Sequence, residues 1–315
     1  MSLVNAQRSA GFQYWLHKIK LFLGLSRTSH ALLDVATPAM AALIYLGHFP
    51  NSYIIVVGLI TAFAGYTAVY ALNDIVDIGI DRQRLSLVDK PQAIFDVDEV
   101  FVQHPLAQGL ISPAHGMLWF GFWALIALIG AWLLNTYCAI LFVISACLEL
   151  IYCKLLKITH FKIIPSALVK ASGGVAGVLA VDPEPSMGFI VVLVLWLAAW
   201  EVGGQNIPND IVDMENDSKV DARTTLTVRG LDESVFFLVT ASGMAAFGGI
   251  VIYFLAGEGL RWLYIFGATF FGYYLIVKPA KAVYDNPTKQ TAGSLFNRAS
   301  YMPLMFLLLA AVSCA

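Results

Sequence analysis

The feature that most constrains this chain is a series of nine apolar runs, each about as long as a bilayer is thick. A helix needs roughly 20 mostly apolar residues to cross the hydrocarbon core, and backbone in lipid must satisfy its own hydrogen bonds, which favours helices. The runs cover 31–47, 52–72, 114–133, 136–156, 164–181, 187–207, 233–255, 260–280 and 293–313. The sequence therefore predicts an all-α integral membrane bundle of nine transmembrane helices.

The composition supports this class. The chain is 59% hydrophobic and only 13% charged, whereas soluble domains are about 25% charged. A net charge of −2 and the lack of a basic stretch give no indication of nucleic-acid binding. We expect the lipid bilayer as the surroundings, and no protein partner is evident from the sequence.

The connections between the runs predict an orientation. Four of them are long and polar, namely 73–112, 157–163, 208–232 and 281–292. Of the 19 Lys and Arg residues, all but Arg261 and Lys170 lie on the side of the N-terminus and these long loops. The positive-inside rule then predicts that the long loops form a cytoplasmic cap. The N-terminus would be cytoplasmic and, after nine crossings, the C-terminus outside, in a bacterial-type inner membrane.

The first 27 residues precede these runs and have a different pattern. Apolar side chains recur there at helical spacing, namely Phe12, Trp15, Leu16, Ile19, Phe22 and Leu23. Residues 1–27 are therefore predicted to form an interfacial amphipathic helix, with a loosely ordered tail as the alternative. Residues 28–315 would form the nine-helix domain.

The pentapeptide NDIVD occurs twice, at 73–77 and at 209–213, just after the second run and near the end of the sixth. An even number of crossings separates the copies, so both lie on the cytoplasmic side and can face each other. Each copy continues at helical spacing, which places its side chains on one face. The two stripes comprise Asn73, Asp74, Asp77 and Asp81, and Asn209, Asp210, Asp213 and Asp217.

Such stripes have a chemical interpretation. Packed carboxylates repel one another near a membrane, where the dielectric constant is low. Mg²⁺ prefers carboxylates together with phosphate oxygens, so two facing stripes with Mg²⁺ can clamp a diphosphate. Solvated loop charges are the alternative, and a second copy on the same side argues against it.

A diphosphate at the end of a membrane cavity indicates an isoprenoid substrate, because the hydrocarbon core accommodates its tail. Metal-bound diphosphate is a good leaving group, and the allylic cation that remains needs an apolar, electron-rich pocket. Tyr66, Tyr70, Trp196 and Trp200 lie membrane-ward of the stripes on the same helices, and their ring faces can stabilise a cation. Ordinary helix packing is the alternative for each ring.

At this point the residues resemble the UbiA-type intramembrane prenyltransferase superfamily, whose members have nine transmembrane helices and two Asp-rich motifs. The motif NDxxDxxxD matches the first stripe, and DxxxD matches Asp213 and Asp217, with Asn209 and Asp210 upstream. The resemblance implies a prenyltransferase that uses Mg²⁺ and a polyprenyl diphosphate. It also implies that Asn209 takes part in substrate binding.

Further matches imply diphosphate-binding residues. Tyr152 and Lys157 in IYCKLLK resemble a Tyr…Lys element of the family, and Arg223 with Thr224 resembles its basic-Ser/Thr pair. HPLAQGLIS resembles RPLxxGxIS, in which the family Arg becomes His104. Alternatively, Lys90, followed by proline, takes that role and 92–103 is an insertion; we favour Lys90, because a lysine stays charged at neutral pH.

The residues that would bind the acceptor are predicted from the ionisable side chains inside the spans. Such side chains are costly in a membrane and therefore indicate function. Arg27, His30 and Asp34 share one face of the first span, and we predict that Arg27 orients the acceptor while His30 or Asp34 takes its proton. Lys170, Glu149 and Glu201 are further candidates. The alternative is internal pairing, of Lys170 with Glu149 or Glu201, or of Asp34 with Arg27 or His30.

The sequence thus predicts transfer of a prenyl group to a lipophilic acceptor, either aromatic or a quinone precursor. Tyr70 is included among the catalytic residues for its ring. A terpene cyclase of the same fold, transfer to an alcohol of the chlorophyll or glycerophosphate type, and a lipid transporter stay open as alternatives.

Overall fold

A computed structural model describes residues 3–87 and 100–315. Within them, nine helices are long and apolar enough to cross a membrane, and no strand occurs, which confirms the predicted fold class. The spanning helices are α2 (Thr28–Leu46), α3 (Ser52–Val76), α5 (Pro113–Leu134), α6 (Thr136–Leu155), α7 (His160–Val181), α8 (Met187–Val212), α11 (Leu231–Leu255), α12 (Leu263–Asp285) and α13 (Lys289–Cys314). The others are α1 (Leu3–Leu25), α4 (Ile78–Leu87), α9 (Met214–Lys219) and α10 (Thr225–Arg229).

Helices α3 and α8 run further than the apolar pattern predicts. The pattern ends at residues 72 and 207, yet the helices continue to Val76 and Val212. Hydropathy detects only the part that faces lipid, whereas the backbone continues as helix into the acidic pentapeptides. Most of each NDIVD copy is therefore part of a spanning helix.

Prolines account for irregular turns in the spanning helices. Helix α2 is interrupted at Val35, three residues before Pro38. Helix α8 has a π turn at Glu201–Asn206, just before Pro208. A proline has no N–H and leaves a carbonyl one turn earlier without its helical partner, and π turns of this kind are frequent at functional sites.

The core of the bundle lies around α8. The side chains of Trp196, Trp200, Tyr264 and Phe306 are fully buried, and the rings of Trp196 and Phe306 pack 5.2 Å apart. Helices α2 and α7 approach each other closely, since a Cβ atom at Gly177 would lie 2.1 Å from the carbonyl oxygen of Pro38. This packing fixes α2, α7 and α8 against each other on one side of a large cavity.

The N-terminal segment forms α1, and its position at the membrane interface stays a prediction. Leu21 and Leu25 are buried, and the ring of Phe22 lies 4.9 Å from that of Trp119. Trp15 and Ile19 are exposed, as an interfacial face requires. The side chain of Phe12 lies outside the described part of the chain.

Candidate active site

The two NDIVD copies end in the same local structure. In each copy the helix ends at the final aspartate. The backbone angles are φ −89° and ψ 4° at Asp77 and φ −92° and ψ 4° at Asp213. In both copies the N–H of this aspartate donates to the carbonyl of the asparagine four residues earlier, at 3.0 Å and 2.9 Å. The short helices α4 and α9 then continue with Asp81 and Asp217. The two identical pentapeptides therefore have the same backbone bend at the end of their spanning helices.

Both stripes line one cavity of about 1170 Å³. All eight predicted polar side chains contribute to its wall, namely Asn73, Asp74, Asp77, Asp81, Asn209, Asp210, Asp213 and Asp217. Burial, together with the charge of Asp81, raises the pKa of Asp77 to about 6, and burial also raises the pKa of Asp213. At both carboxyl groups burial outweighs the effect of the nearby cations, such as Arg84, and a bound divalent cation would stabilise their charged forms.

The first copy forms a compact cluster with a residue from the loop before α5. Nδ1 of His104 lies 2.8 Å from Oδ1 of Asp74 and 3.0 Å from Oδ2 of Asp81. Burial alone would lower the pKa of His104, but the hydrogen bonds to the two carboxylates outweigh it and raise the pKa to about 9. Ligand atoms of these three side chains lie within 4.8 Å of one another. Oδ2 of Asp74 is buried without a hydrogen-bond partner among the described residues, so the carboxylates of Asp74 and Asp81 fit a hard divalent cation such as Mg²⁺.

The second copy meets cations from two other elements. Nζ of Lys162 lies 3.8 Å from Asp210, which also accepts a hydrogen bond from the N–H of Thr225 at 3.2 Å. Arg84 on α4 contacts Asp217 at 2.5 Å and lies 3.8 Å from Asp81. Its guanidinium group therefore joins the two acidic stripes.

Two basic residues predicted for the diphosphate, Lys157 and Arg223, do not line this cavity. Lys157 is exposed and donates to Gln83 at 3.3 Å, and Arg223 is exposed with its N–H bonded to the carbonyl of Leu156. Neither lines the cavity, whereas Tyr152 does. Lys90 lies outside the described residues.

Other cations occupy the cavity wall instead, and sequence reasoning missed them. They are Arg84, Lys162, Lys219 and Lys289; the predicted Arg27 also lines the cavity. Lys162 is buried and lies 5.0 Å from the ring of Tyr152. The spacing of Arg84, one turn after Asp81, was a usable signal; Lys162 had none beyond its place at the start of an apolar run.

Deeper in the membrane, Asp34 pairs with a residue that the sequence did not suggest. Nζ of Lys170 lies 2.5 Å from Asp34, and the hydroxyl of Tyr70 also donates to Asp34. The alternative of an internal ion pair at Lys170 therefore holds, with Asp34 as the partner instead of Glu149 or Glu201. Nε2 of His30 is 4.0 Å from Asp34, and the centroids of the His30 and Tyr70 rings are 5.9 Å apart.

Two glutamates lie in the same wall. Glu149 accepts a hydrogen bond from Nδ2 of Asn73 at 2.8 Å. Oε1 of Glu201, in the π turn of α8, accepts from Ser166 at 2.7 Å and from Asn206 at 3.0 Å. All five side chains line the cavity, so its middle section is polar.

Beyond this section the cavity becomes apolar and long. Helix α3 contributes lining residues from Asp74 at the acidic end to Ile54 at the apolar end. This stretch of the helix is about 30 Å long at 1.5 Å per residue. Tyr66 and Tyr70 line it, whereas Trp196 and Trp200 do not and belong to the core. For these two tryptophans the packing alternative holds.

Comparisons with known proteins agree with this geometry. The model of the UbiA prenyltransferase family matches residues 35–309. No curated protein matches the chain significantly.

Solved structures share the architecture over nearly the whole chain. A UbiA homologue from Aeropyrum pernix K1 has a TM-score of 0.70 at 16% identity, covering 91% of this chain and 98% of its own. A UbiA homologue from Archaeoglobus fulgidus bound to DMAPP and Mg²⁺ has a TM-score of 0.66 at 16% identity, with 92% and 99% covered. A structure from work on digeranylgeranylglyceryl phosphate synthase has a TM-score of 0.65 at 20% identity, with 94% and 98% covered. At such identities the likeness shows a shared fold.

Proposed function

Because this chain belongs to the UbiA prenyltransferase family, we propose that it transfers the prenyl group of a polyprenyl diphosphate to a lipophilic acceptor. Aromatic or quinone-precursor acceptors are the class we favour. The observation that carries the proposal is the cavity, which has both acidic stripes at one end, an apolar section at the other, and a total length along α3 similar to the thickness of the bilayer core. The Archaeoglobus homologue with DMAPP and Mg²⁺ supports this choice of donor and metal.

The acidic end would bind the metal and the diphosphate. Asn73 and the six aspartates of the two stripes are the metal ligands we propose. Mg²⁺ bound there supplies charge neutralisation on the departing diphosphate. Lys162 and Arg84 hold the diphosphate oxygens, because they are the cations that lie against the aspartates in the cavity wall. Arg27 and Tyr152 complete this wall, and Asn209 lies beside Asp213 at 3.3 Å.

The middle section would receive the reactive end of the prenyl chain. The ring of Tyr70 is placed to stabilise a cation through its π face. The ammonium group of Lys170 and the guanidinium group of Arg27 already lie 5.5 Å and 6.0 Å from its centroid. Asp34 holds Lys170 and Tyr70 in place, so its carboxylate positions these groups. His30 remains the candidate for taking up the acceptor's proton.

The polar middle section supports transfer over cyclisation. A cyclase must keep nucleophiles away from its carbocation. The carboxylates of Glu149 and Glu201 and the hydroxyl of Ser166 lie in this section. A transferase needs such groups to hold an acceptor.

The test uses the purified protein with Mg²⁺ and geranylgeranyl diphosphate, with and without a lipid extract of the source cells. Products are analysed by mass spectrometry. We expect a prenylated compound only when the extract is present. A hydrocarbon formed without extract would replace the proposal by a cyclase, and the absence of any diphosphate release would remove it.

The orientation is part of the proposal, with the acidic end and the N-terminus in the cytoplasm. It rests on the distribution of Lys and Arg. Arg229→Cys should react with an impermeant thiol reagent only after the cytoplasmic side is opened. Glu184→Cys and Glu258→Cys should react in intact cells. The reverse pattern would place the acidic end outside.

A further inference from the structure

Five polar side chains form a group in the wall of the cavity's middle section, membrane-ward of the aspartates. We refer to them as the mid-cavity group: Tyr70, Ser166, Lys170, Glu201 and Asn206. They come from α3, α7 and α8, three different helices. Polar groups at this depth are costly unless they are paired or used. The question is what their unused hydrogen-bonding capacity would bind.

Lys170 has one donor to spare. Its ammonium group donates to Asp34 at 2.5 Å and to the hydroxyl of Tyr70 at 2.9 Å. An ammonium group has three N–H donors, and the third has no hydrogen-bond partner among the described residues. The side chain is 15% exposed, and it lines the cavity. A ligand in the cavity can therefore accept a hydrogen bond from Lys170.

Glu201 has the complementary capacity. Its Oε1 accepts from Ser166 and Asn206, whereas Oε2 is buried without a partner in the described part of the chain. The residue is 4% exposed and lines the cavity. A buried carboxylate oxygen without a donor is strongly unfavourable. A ligand's hydroxyl or N–H hydrogen would satisfy it.

The two groups are close enough to act on one ligand. Ser166, which binds Glu201, lies one turn before Lys170 on α7. The ring of Trp200, the residue before Glu201, lies 5.7 Å from Nζ of Lys170. Glu201 is also one of the charges that act on the Lys170 ammonium group. A donor and an acceptor thus face the same part of the cavity.

The charge balance disfavours an anionic ligand group here. Three carboxyl groups, those of Asp34, Glu201 and Glu149, already act on the ammonium group of Lys170. A carboxylate on the ligand would add a like charge in a medium of low dielectric constant. A neutral hydroxyl suits the site, because its oxygen accepts from Lys170 and its hydrogen donates to Glu201.

We propose that the mid-cavity group is the acceptor subsite and that it recognises a neutral hydroxyl of the acceptor, with Lys170 donating to its oxygen and Glu201 accepting its hydrogen. This rests on the proposed function and specifies its acceptor as a hydroxylated lipid. For an aromatic acceptor the group is a phenol. Glu201 and Lys170 are then residues that determine acceptor specificity.

The test compares three probes that differ only in the polar group: para-nonylphenol, para-nonylanisole and para-nonylbenzoate. Binding to the detergent-purified wild type is measured from the rise in unfolding temperature over a concentration series. We expect the phenol to bind about tenfold more tightly than the methyl ether, since one hydrogen bond to a charged group is at stake. The benzoate should bind more weakly than the phenol. Equal binding of phenol and ether, or tighter binding of the benzoate, would overturn the proposal.

Glu201→Gln sharpens the test, because glutamine keeps the shape and the hydrogen bonds to Ser166 and Asn206. It replaces the free carboxylate oxygen by a donor. The variant should lose the preference for phenol over ether, while ether binding stays the same. Glu184→Gln, a carboxylate change outside the spans, should keep the preference. A Glu201→Gln protein that still prefers the phenol would contradict the role of Glu201. If the variant does not fold, the comparison of probes on the wild type decides alone.

A second probe source separates phenols from aliphatic alcohols. Hexadecanol and its methyl ether are compared in the same way, and a preference for the alcohol would show that the hydroxyl alone is recognised. Magnesium-dependent diphosphate release from geranylgeranyl diphosphate, measured in parallel, needs no hydroxyl on any probe. If diphosphate is released but the hydroxyl probes bind no better than their ethers, only the assignment of the acceptor subsite is refuted. If the hydroxyl probes bind better but no diphosphate is released, only the proposed transfer reaction is refuted.

Discussion

The two copies of NDIVD share their sequence and their backbone, but they meet different cations. In the first copy, His104 from a loop lies between Asp74 and Asp81. In the second, Lys162 from α7 lies beside Asp210. Arg84 from α4 is shared, at 2.5 Å from Asp217 of the second copy and 3.8 Å from Asp81 of the first. The pentapeptide thus determines the bend at the end of the helix, whereas residues distant in sequence determine the charge around it.

This difference suggests a division of labour. The first copy is compact, since carboxylate oxygens of Asp74 and Asp81 both lie within 3.0 Å of Nδ1 of His104, and this imidazole is a cation that a metal can displace. The second copy is held by a lysine and an arginine, whose charges are permanent at neutral pH. We therefore expect the first copy to dominate metal binding and the second to contribute more to diphosphate binding.

The largest effect should come from Asp74→Asn and Asp213→Asn. Each removes a charged metal ligand and should lower turnover on the order of 10³-fold or more. The unfolding temperature in detergent should hold or rise, because repulsion between carboxylates is relieved. Turnover and unfolding are measured on the same preparations.

The same pair of variants can break the comparison. If the first copy dominates metal binding, Asp74→Asn should raise the Mg²⁺ concentration for half-maximal activity more than Asp213→Asn does. Near-normal activity of both variants at limiting Mg²⁺ would contradict the assignment of the stripes to the metal.

Lys162→Met should give the next largest effect, with kcat/KM for the prenyl diphosphate lowered about tenfold to a hundredfold, as for a lost charge-assisted hydrogen bond. Lys157→Met is the comparison, since the sequence assigned the diphosphate to Lys157 while the structure places its side chain outside the cavity. We expect a change of about twofold there, as for an exposed charge. Steady-state kinetics with varied donor decide, and a larger effect at Lys157 would restore the prediction from sequence.

The fold was predictable because lipid imposes a simple rule on length and polarity. The nine spans follow from it, and the two acidic stripes follow from a repeat at helical spacing. The same rule cannot identify partners across the bundle. Asp34 and Lys170 are far apart in sequence, and only the packing of α2 against α7 brings them together. The same holds for His104 and for Lys162.

Burial of aromatic rings was also beyond the sequence. Tyr66 and Tyr70 line the cavity, while Trp196 and Trp200 lie in the core, although all four precede an acidic stripe on a spanning helix. Which face of a helix looks into a cavity depends on its rotation, and an all-round apolar helix such as α8 gives no periodic signal of it. The π turn at Glu201–Asn206 shifts that face further.

Arg84→Gln should have a moderate effect, raising KM for the donor roughly fivefold to tenfold, because its pair with Asp217 is partly exposed and exposed pairs contribute less. Arg84 is the residue that joins both copies. Arg82→Gln, an exposed neighbour on the same helix, is the matched control and should stay close to wild type. Equal KM values for the two variants would show that the copies act without this link.

The smallest expected effect concerns His104, and it tests the first copy directly. Its Nδ1 lies within hydrogen-bonding distance of both Asp74 and Asp81, so the imidazole occupies oxygens that a metal would use. His104→Asn removes this competitor, and asparagine cannot carry a positive charge. We expect the Mg²⁺ concentration for half-maximal activity to fall about twofold to fivefold, in line with one weak competing contact.

If instead His104 takes the place of the family arginine and binds the diphosphate, KM for the donor should rise while the Mg²⁺ requirement stays the same. Lys90→Met separates the remaining possibility, because a rise in KM there and not in His104→Asn would assign that role to Lys90. Varying Mg²⁺ and donor independently on both variants measures all of these quantities.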